Sequence, residues 1–446
     1  MSSTVEFSYQ TPSQIRHTPT FNELVLSHYT DIEELTHVPC FFHGGIIDPF
    51  LTAKALLTIS KVVKSSFAPV PIALRDPIVS VGKEQMRFEG FSSCNGVYAR
   101  LDVLSDAVAG EFIASGTTNV DFNEPMLNAL NTVKKQDTLQ LSLGSDGVTV
   151  ETNGQTVTEK KVKLPKRWLQ GLTSVQVYLS QMREVLTLNK LQTIQLFNQL
   201  PKGKISLPMY ISYIAGRTHI SPTAKAGGIK VGGMERLRLL DGLLPLLTGM
   251  SLYQGDDGES MAVVVHMPNL RLTLALSPES YRGFSGEGQI LEKLGDVPVE
   301  YVHLFSQILQ TNETFDLTNV SFEQDLSFDA VEQMSGSLSA MGLLGFDVYG
   351  GEHYYRRLPF NMEQILTLNP RFANAQKLKE NQGVTIISHT PIETHATVQG
   401  TDTTHTVVIR QGRPQCTCYW FAKHQDKRGL CKHILAVKMK TSQWFA

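Results

Sequence analysis

Three of the chain's five cysteines lie inside the eighteen-residue stretch CTCYWFAKHQDKRGLCKH, residues 416–433. Cys416 and Cys418 are two apart, and so are Cys431 and His433. Thiolates and an imidazole are the ligand types of tetrahedral zinc. Four protein ligands leave no coordination position for water, so Zn2+ held here serves structure rather than catalysis. A thioredoxin-type dithiol would need C-x-x-C opening a helix, whereas the spacing here is C-x-C. His424, between the two pairs, is an alternative ligand or a solvated loop histidine.

The spacing also dictates which elements must carry these side chains. Residues two apart on extended backbone face the same way, so Cys416 and Cys418 belong at the end of a strand. The segment HTVVIRQ and a turn carrying Gly412 and Pro414 lead into them. Inside a regular helix, Cys431 and His433 would diverge by about 200°. Cys431 is therefore expected just before the helix KHILAVKMK, with His433 reaching back from its beginning.

Charge gathers around the same residues. From residue 411 onward the cations are Arg413, Lys423, Lys427, Arg428, Lys432, Lys438 and Lys440, against the single acid Asp426. These side chains sum to +6 in a chain whose formal net charge is −2. Such a patch attracts phosphates, and Tyr419, Trp420 and Phe421 offer surfaces on which unpaired bases stack. Trp420, Lys423, Lys427, Arg428 and Lys432 are thus candidate contacts to nucleic acid or to a partner protein. The plainer alternative is that the lysines keep a small module soluble while the aromatics form its core.

At 446 residues the chain is expected to hold several domains. The predicted fold class is α+β, multi-domain, with repeated helix-plus-antiparallel-strand units, a winged-helix-like module and a C-terminal ββα zinc finger. An irregular polar arm (1–40) precedes an α+β segment (41–114), in which Asp48-Pro49 reads as an N-cap with proline at the first helical position. Two helix-plus-strands units follow, 115–225 and 226–300. They are related by matches of Asp146-Gly147 with Asp257-Gly258, Pro165 with Pro278, Trp168 with Tyr281 and Gly171 with Gly283. This layout resembles that of ring-shaped DNA clamps. In residues 301–375 a helix capped by Ser327 precedes a hairpin turning at Gly350-Gly351; this reads either as a winged-helix-like module, with Arg356 and Arg357 on or beside the wing as candidate nucleic-acid contacts, or as a small α+β module packed between its neighbours. Residues 376–446 hold the finger and its flanking strands.

Other signals lead nowhere. No H-E-x-x-H, Walker A or G-x-S-x-G pattern appears, so no enzyme activity is expected. GFSGEG (283–288) and Asp256-Asp257 read as turns, Cys94 as a free cysteine without a histidine base, and Cys40 with His43 as too few ligands for a metal. No run of eighteen apolar residues is present and the first residues are polar, so the expectation is a cytoplasmic protein without membrane contact.

The pattern C-x-C, twelve residues, C-x-H resembles the SWIM zinc finger, with Trp420 and Lys432 in the family's style. That resemblance implies Cys416, Cys418, Cys431 and His433 as zinc ligands, and a module that binds DNA or proteins. The stretches GTTNVDFNEPMLNAL, EKKVKLPKRWLQG, LSPESYRGFSGEG and HYYRRLP are similar to bacterial SWIM-finger proteins. Those are often associated with a MoxR-type AAA ATPase and a von Willebrand factor A protein. The implied partners are therefore DNA or RNA, or that ATPase with its companion, for which the chain would be an adaptor or substrate-recruiting subunit.

Overall fold

The computed structural model describes residues 14–17, 22–25, 41–67, 77–119, 122, 124–144, 147–152, 155–160, 166–205, 207–225, 227–256, 258–278, 283–284, 304–305, 308, 312–340, 342–356, 370–400, 403–425 and 429–441. Strands β1 (Gln14–His17) and β2 (Asn22–Val25) pair as a short antiparallel ribbon. The body begins with β3 (Phe42–Ile46) and α1 (Pro49–Lys64). Asp48 caps α1 as expected: its carboxylate accepts from the Leu51 N–H at 2.9 Å, and Pro49 occupies the first turn. The helix buries Leu51, Ala55, Leu56, Ile59, Val62 and Val63, residues at helical spacing.

After α1 the chain makes the antiparallel meander β4 (Ile78–Val81), β5 (Gln85–Phe91) and β6 (Val97–Leu104), then β7 (Val108–Phe112) and β8 (Gly116–Asn119). Helix α2 (Glu124–Thr132) precedes a second meander, β9 (Leu139–Gly144), β10 (Gly147–Thr152) and β11 (Gln155–Lys160). Next come α3 (Lys166–Ser180), β12 (Met182–Asn189) and α4 (Lys190–Gln199), the last closed by a capping box between Asn189 and Gln192. A small sheet of β13 (Met209–Ile214), β14 (Arg217–Ser221) and β15 (Ile229–Val231) follows, in the order β14-β13-β15. A 3-10 helix (Met234–Leu243) then leads into a third meander, β16 (Gly249–Gly255), β17 (Met261–Met267) and β18 (Leu270–Leu276).

Among the described residues, a helix followed by a three-stranded meander occurs with α2, with the 3-10 helix and also with α1 and β4 to β6. The residues of both matched DG turns are only partly described: Asp146 and Asp257 lie outside the described residues. The matched glycines meet at one place. A side chain on Gly171 would strike Asn95 and Phe91, and one on Gly283 would strike the backbone of Cys94 and Asn95, so both pack against the same turn. The strands assemble into an eight-stranded sheet, β12-β16-β17-β18-β6-β5-β4-β8, and a five-stranded sheet, β11-β10-β9-β3-β7. One hydrophobic core runs through them, from Phe41 to Phe284.

A second core holds residues between Phe305 and Met439, with Val177 from α3. Its first part is β19 (Thr314–Phe315), α5 (Leu317–Glu323), α6 (Phe328–Ala340), β20 (Leu344–Asp347) and β21 (Glu352–Tyr355). Ser327 caps α6 through the Ala330 N–H at 3.3 Å, and Val331, Met334 and Leu338 form its buried stripe. The hairpin turns at Gly351 (φ 69°), where a left-handed conformation suits glycine.

This hairpin does not project as a wing, which corrects the sequence expectation. It is sewn to the eight-stranded sheet by buried charges. Arg356 donates to Glu89 at 2.5 Å with both side chains fully buried, and its other nitrogen donates to the Leu172 carbonyl at 2.6 Å. Tyr98 adds its hydroxyl to Glu89 at 2.7 Å. Burial raises the Glu89 pKa, but Arg356 and Tyr98 outweigh it and hold the carboxyl below its ordinary value. Arg100 bonds Asp102, the Phe346 carbonyl and Asp347, while Arg87 stacks on the Tyr354 ring at 3.7 Å. Arg356 is therefore withdrawn from any nucleic acid, and Arg357 lies outside the described residues.

The remaining elements are α7 (Pro370–Glu380) and the antiparallel sheet β22 (Val384–His389), β23 (Glu393–Gln399), β24 (Thr404–Arg410) and β25 (Arg413–Cys416). Two helices end the described chain, α8 (Tyr419–His424) and α9 (Lys432–Thr441). Among the described residues, no helix is long and apolar enough to cross a membrane.

Candidate metal centre

Strand β24 turns into β25 through Gln411 (φ 47°) and Gly412 (φ 74°), two successive left-handed residues that make the tight turn matching strand twist. Arg410 then faces Arg413, and Cys416 faces Val407 at the strand end. Thr417 extends the pairing: its N–H donates to Thr406 O at 3.1 Å and its hydroxyl accepts from Thr406 N at 3.0 Å. The chain stays extended through Cys418 (φ −75°, ψ 154°), which caps α8, its sulfur accepting from the Phe421 N–H at 3.4 Å. Gly429 (φ 71°) redirects the chain toward Cys431. The Cys431 carbonyl accepts from Leu435 N at 3.1 Å, so Cys431 sits just before α9 and His433 in its first turn.

These elements converge as the spacing requires. The ligand atoms of Cys416, Cys418, Cys431 and His433 all lie within 4.8 Å of one another. A tetrahedral ion with metal–sulfur bonds of about 2.3 Å needs sulfur separations of about 3.8 Å, which falls inside that span. His433 Nδ1 lies 3.8 Å from Cys416 Sγ, and its Nε2 is buried without a hydrogen-bond partner. All four side chains are buried, the most exposed at 8%. The three thiols form no disulfide, so all remain available as ligands. The Cys431 thiol is pulled down to about 4, first by a hydrogen bond from Cys416 and against its own burial, with His433 assisting. The same contact raises Cys416. The donor set fits a closed four-coordinate site consistent with zinc.

The shell around the ligands includes a residue that sequence reasoning missed. Arg371 on α7 donates to the carbonyls of Gly429 (3.5 Å) and Leu430 (3.2 Å) and lies over the Trp420 ring at 4.6 Å. It thereby ties the segment before Cys431 to the helix after Cys418. Nothing in its local sequence distinguishes it from an exposed arginine. Helix α8 lies where the sequence suggests a loop, because six residues are too few to show periodicity.

Of the predicted contacts, Trp420 is partly buried between Arg371 and His424, whose ring is 4.6 Å away. His424 packs there and does not join the metal cluster. Lys423 is exposed, with its ammonium 5.8 Å from the Tyr419 ring, and Tyr419 itself is 78% exposed. Lys432 is partly buried, Lys440 donates to the Val384 carbonyl at 2.5 Å, and Lys427 and Arg428 lie outside the described residues. Elsewhere, His43 bonds Ser142 at 2.7 Å and Cys40 lies outside the described residues. Cys94 is buried; burial opposes its ionisation, but hydrogen bonds from Ser92 and the Phe67 N–H, with Arg236 nearby, bring its pKa below the ordinary value. Asp256 pairs with Arg183 at 3.4 Å on the surface.

Residues 398–441 match the family model described as the SWIM zinc finger, and the four clustered ligands fall inside the matched segment. Two solved structures resemble the chain over 53% of its length. One is a PCNA2-PCNA3 complex from Sulfolobus tokodaii (10% identity, 99% of that chain, TM-score 0.39). The other is Proliferating Cellular Nuclear Antigen from Entamoeba histolytica (12% identity, 98% of that chain, TM-score 0.35). No curated protein matches the chain.

Proposed function

We propose that the chain is a non-enzymatic protein whose SWIM finger, folded around zinc, contacts nucleic acid. The observation that carries this reading is the exposed Tyr419 with Lys423 beside its ring, on a helix whose cap is the metal ligand Cys418. An aromatic face next to an ammonium binds an unpaired base and its phosphate together. Exposed Arg413 and the prevalence of cations from residue 411 onward support it. Zinc acts through shape, because ligation fixes α8 against α9. Fluorescence anisotropy with a single-stranded oligonucleotide tests the reading. Tyr419→Ala should weaken binding by about 1–3 kcal/mol, and Lys423→Glu should weaken it further and flatten the salt dependence. Undetectable binding at low salt, or affinity indifferent to both variants, would sink it.

A second reading is favoured by a groove of about 480 Å³ beside the metal site, lined by Thr406, Val408, Pro414, Gln415, Thr417 and Phe421. It runs along the edge strand β25 and offers apolar and polar lining together, which suits an extended protein segment. On this reading the finger is an adaptor, and a MoxR-type AAA ATPase is the candidate partner. Val408→Glu should then abolish co-purification with the partner while leaving oligonucleotide binding intact.

A further inference from the structure

We propose that the small sheet β14-β13-β15 is a second polyanion-binding surface, fitted to the phosphate backbone of a nucleic acid and independent of the finger. Its first support is composition. Between Glu184 and Glu235 the chain has no acidic residue, yet it carries Lys190, Lys202, Lys204, Arg217, Lys225 and Lys230. Fifty residues at +6 stand inside a chain at −2.

The second support is where the fold puts those charges. Lys230 pairs with Glu259 at 2.6 Å, and Lys190 donates to the Pro245 carbonyl at 2.6 Å. Lys202, Lys204, Arg217 and Lys225 are exposed and have no carboxylate partner among the described residues. Strand register sorts the sheet into two faces. Ile211 lies opposite Ile220 on one side and Ile229 on the other, so these three share a face, and it is the face that packs on the core. Alternation then places Tyr210, Ile214, Arg217, His219 and Lys230 together on the opposite face. The three strands contribute no acid to that face, and the carboxylate that reaches it, Glu259, is spent on Lys230. The Ala215-Gly216 hairpin turn sets Arg217 at one end of β14, and Lys225 follows the strand's other end.

A five-residue strand spans about 17 Å. Along B-DNA that distance faces about five phosphates of one strand. Cations placed at both ends of a flat face therefore match a linear polyanion better than a compact one. Neutralising four phosphates should contribute a salt slope of about −3.6, or about 100-fold in affinity between about 50 and about 200 mM salt.

The test uses the zinc-loaded full chain and anisotropy of a fluorescein-labelled duplex of arbitrary sequence, titrated across salt. The charge-reversed variant Lys202→Glu/Lys204→Glu/Arg217→Glu/Lys225→Glu should lose about 3 to 4 units of that slope. A Lys202→Arg/Lys204→Arg/Lys225→Arg variant should retain it, and both should melt like the parent by circular dichroism. Lys423→Glu in the finger should leave this duplex component in place, so the two surfaces fail separately. The proposal is overturned if charge reversal leaves slope and affinity unchanged, if Lys423→Glu alone removes duplex binding, or if the chain sediments with phosphatidylserine vesicles but ignores the duplex.

Discussion

The core spanning residues 41–284 and the core spanning residues 305–439 meet at the hairpin β20–β21, which sends Phe346 and Val348 into the first and Leu344 into the second. In the first, α1 and the meanders supply apolar faces large enough to bury one another, and no ligand chemistry is needed. In the second, three of the buried core residues are themselves Cys416, Cys418 and Cys431. The four-stranded sheet shares this core with α7 and α9, and units of that size commonly rely on staples. The difference teaches that the C-terminal unit keeps its candidate metal ligands inside its own core, so an ion bound there would be one of that core's contacts.

Chelation should break the comparison most sharply. Structural zinc contributes about 10–16 kcal/mol of apparent binding energy in zinc-finger peptides at neutral pH. Removing the metal, or replacing Cys418 with serine, should therefore abolish amide-exchange protection in β24, β25 and α9. Strands β5, β6, β17 and β18 should keep theirs. Equal protection in both regions before and after chelation would contradict the proposed dependence.

Smaller in effect is the junction. Arg356→Ala leaves Glu89 buried without its ion-pair partner, holding only the Tyr98 hydroxyl, and such changes cost about 3–5 kcal/mol. Urea unfolding should show this loss, while the double variant Arg356→Met/Glu89→Gln should recover much of it. A loss under about 1 kcal/mol would mean that water reaches the pair. Smallest is Asp48→Ala, which removes the α1 cap and should lower the body's stability by about 1 kcal/mol. Its melting transition should shift while metal content stays constant; a shift in metal content instead would show the two regions to be coupled.

What was legible in the sequence follows from distance along the chain. Cys416, Cys418, Cys431 and His433 could be assigned to a strand end and a helix start because the constraint is local: pairs two apart face together only on particular backbone. Asp48-Pro49 and Ser327 were readable for the same reason. Arg356 was not. An arginine after YY looks like any surface arginine, and only the fold brings Glu89 to it. Arg371 was hidden likewise, since its role is set by carbonyls of Gly429 and Leu430 far along the chain. The unit at α1 escaped because it shares the order of elements, and neither residues nor spacing, with the other two.

One pairing in the eight-stranded sheet bears on how the chain is made. Strand β6 is flanked by β5, which precedes it closely, and by β18, where Val103 faces Leu270. During synthesis β6 leaves the ribosome long before β18 exists, so one edge of an apolar strand waits unpaired. Contacts of such long sequence separation form slowly. Until residue 276 has emerged, the nascent body presents an open sheet edge, and aggregation or chaperone capture competes for it.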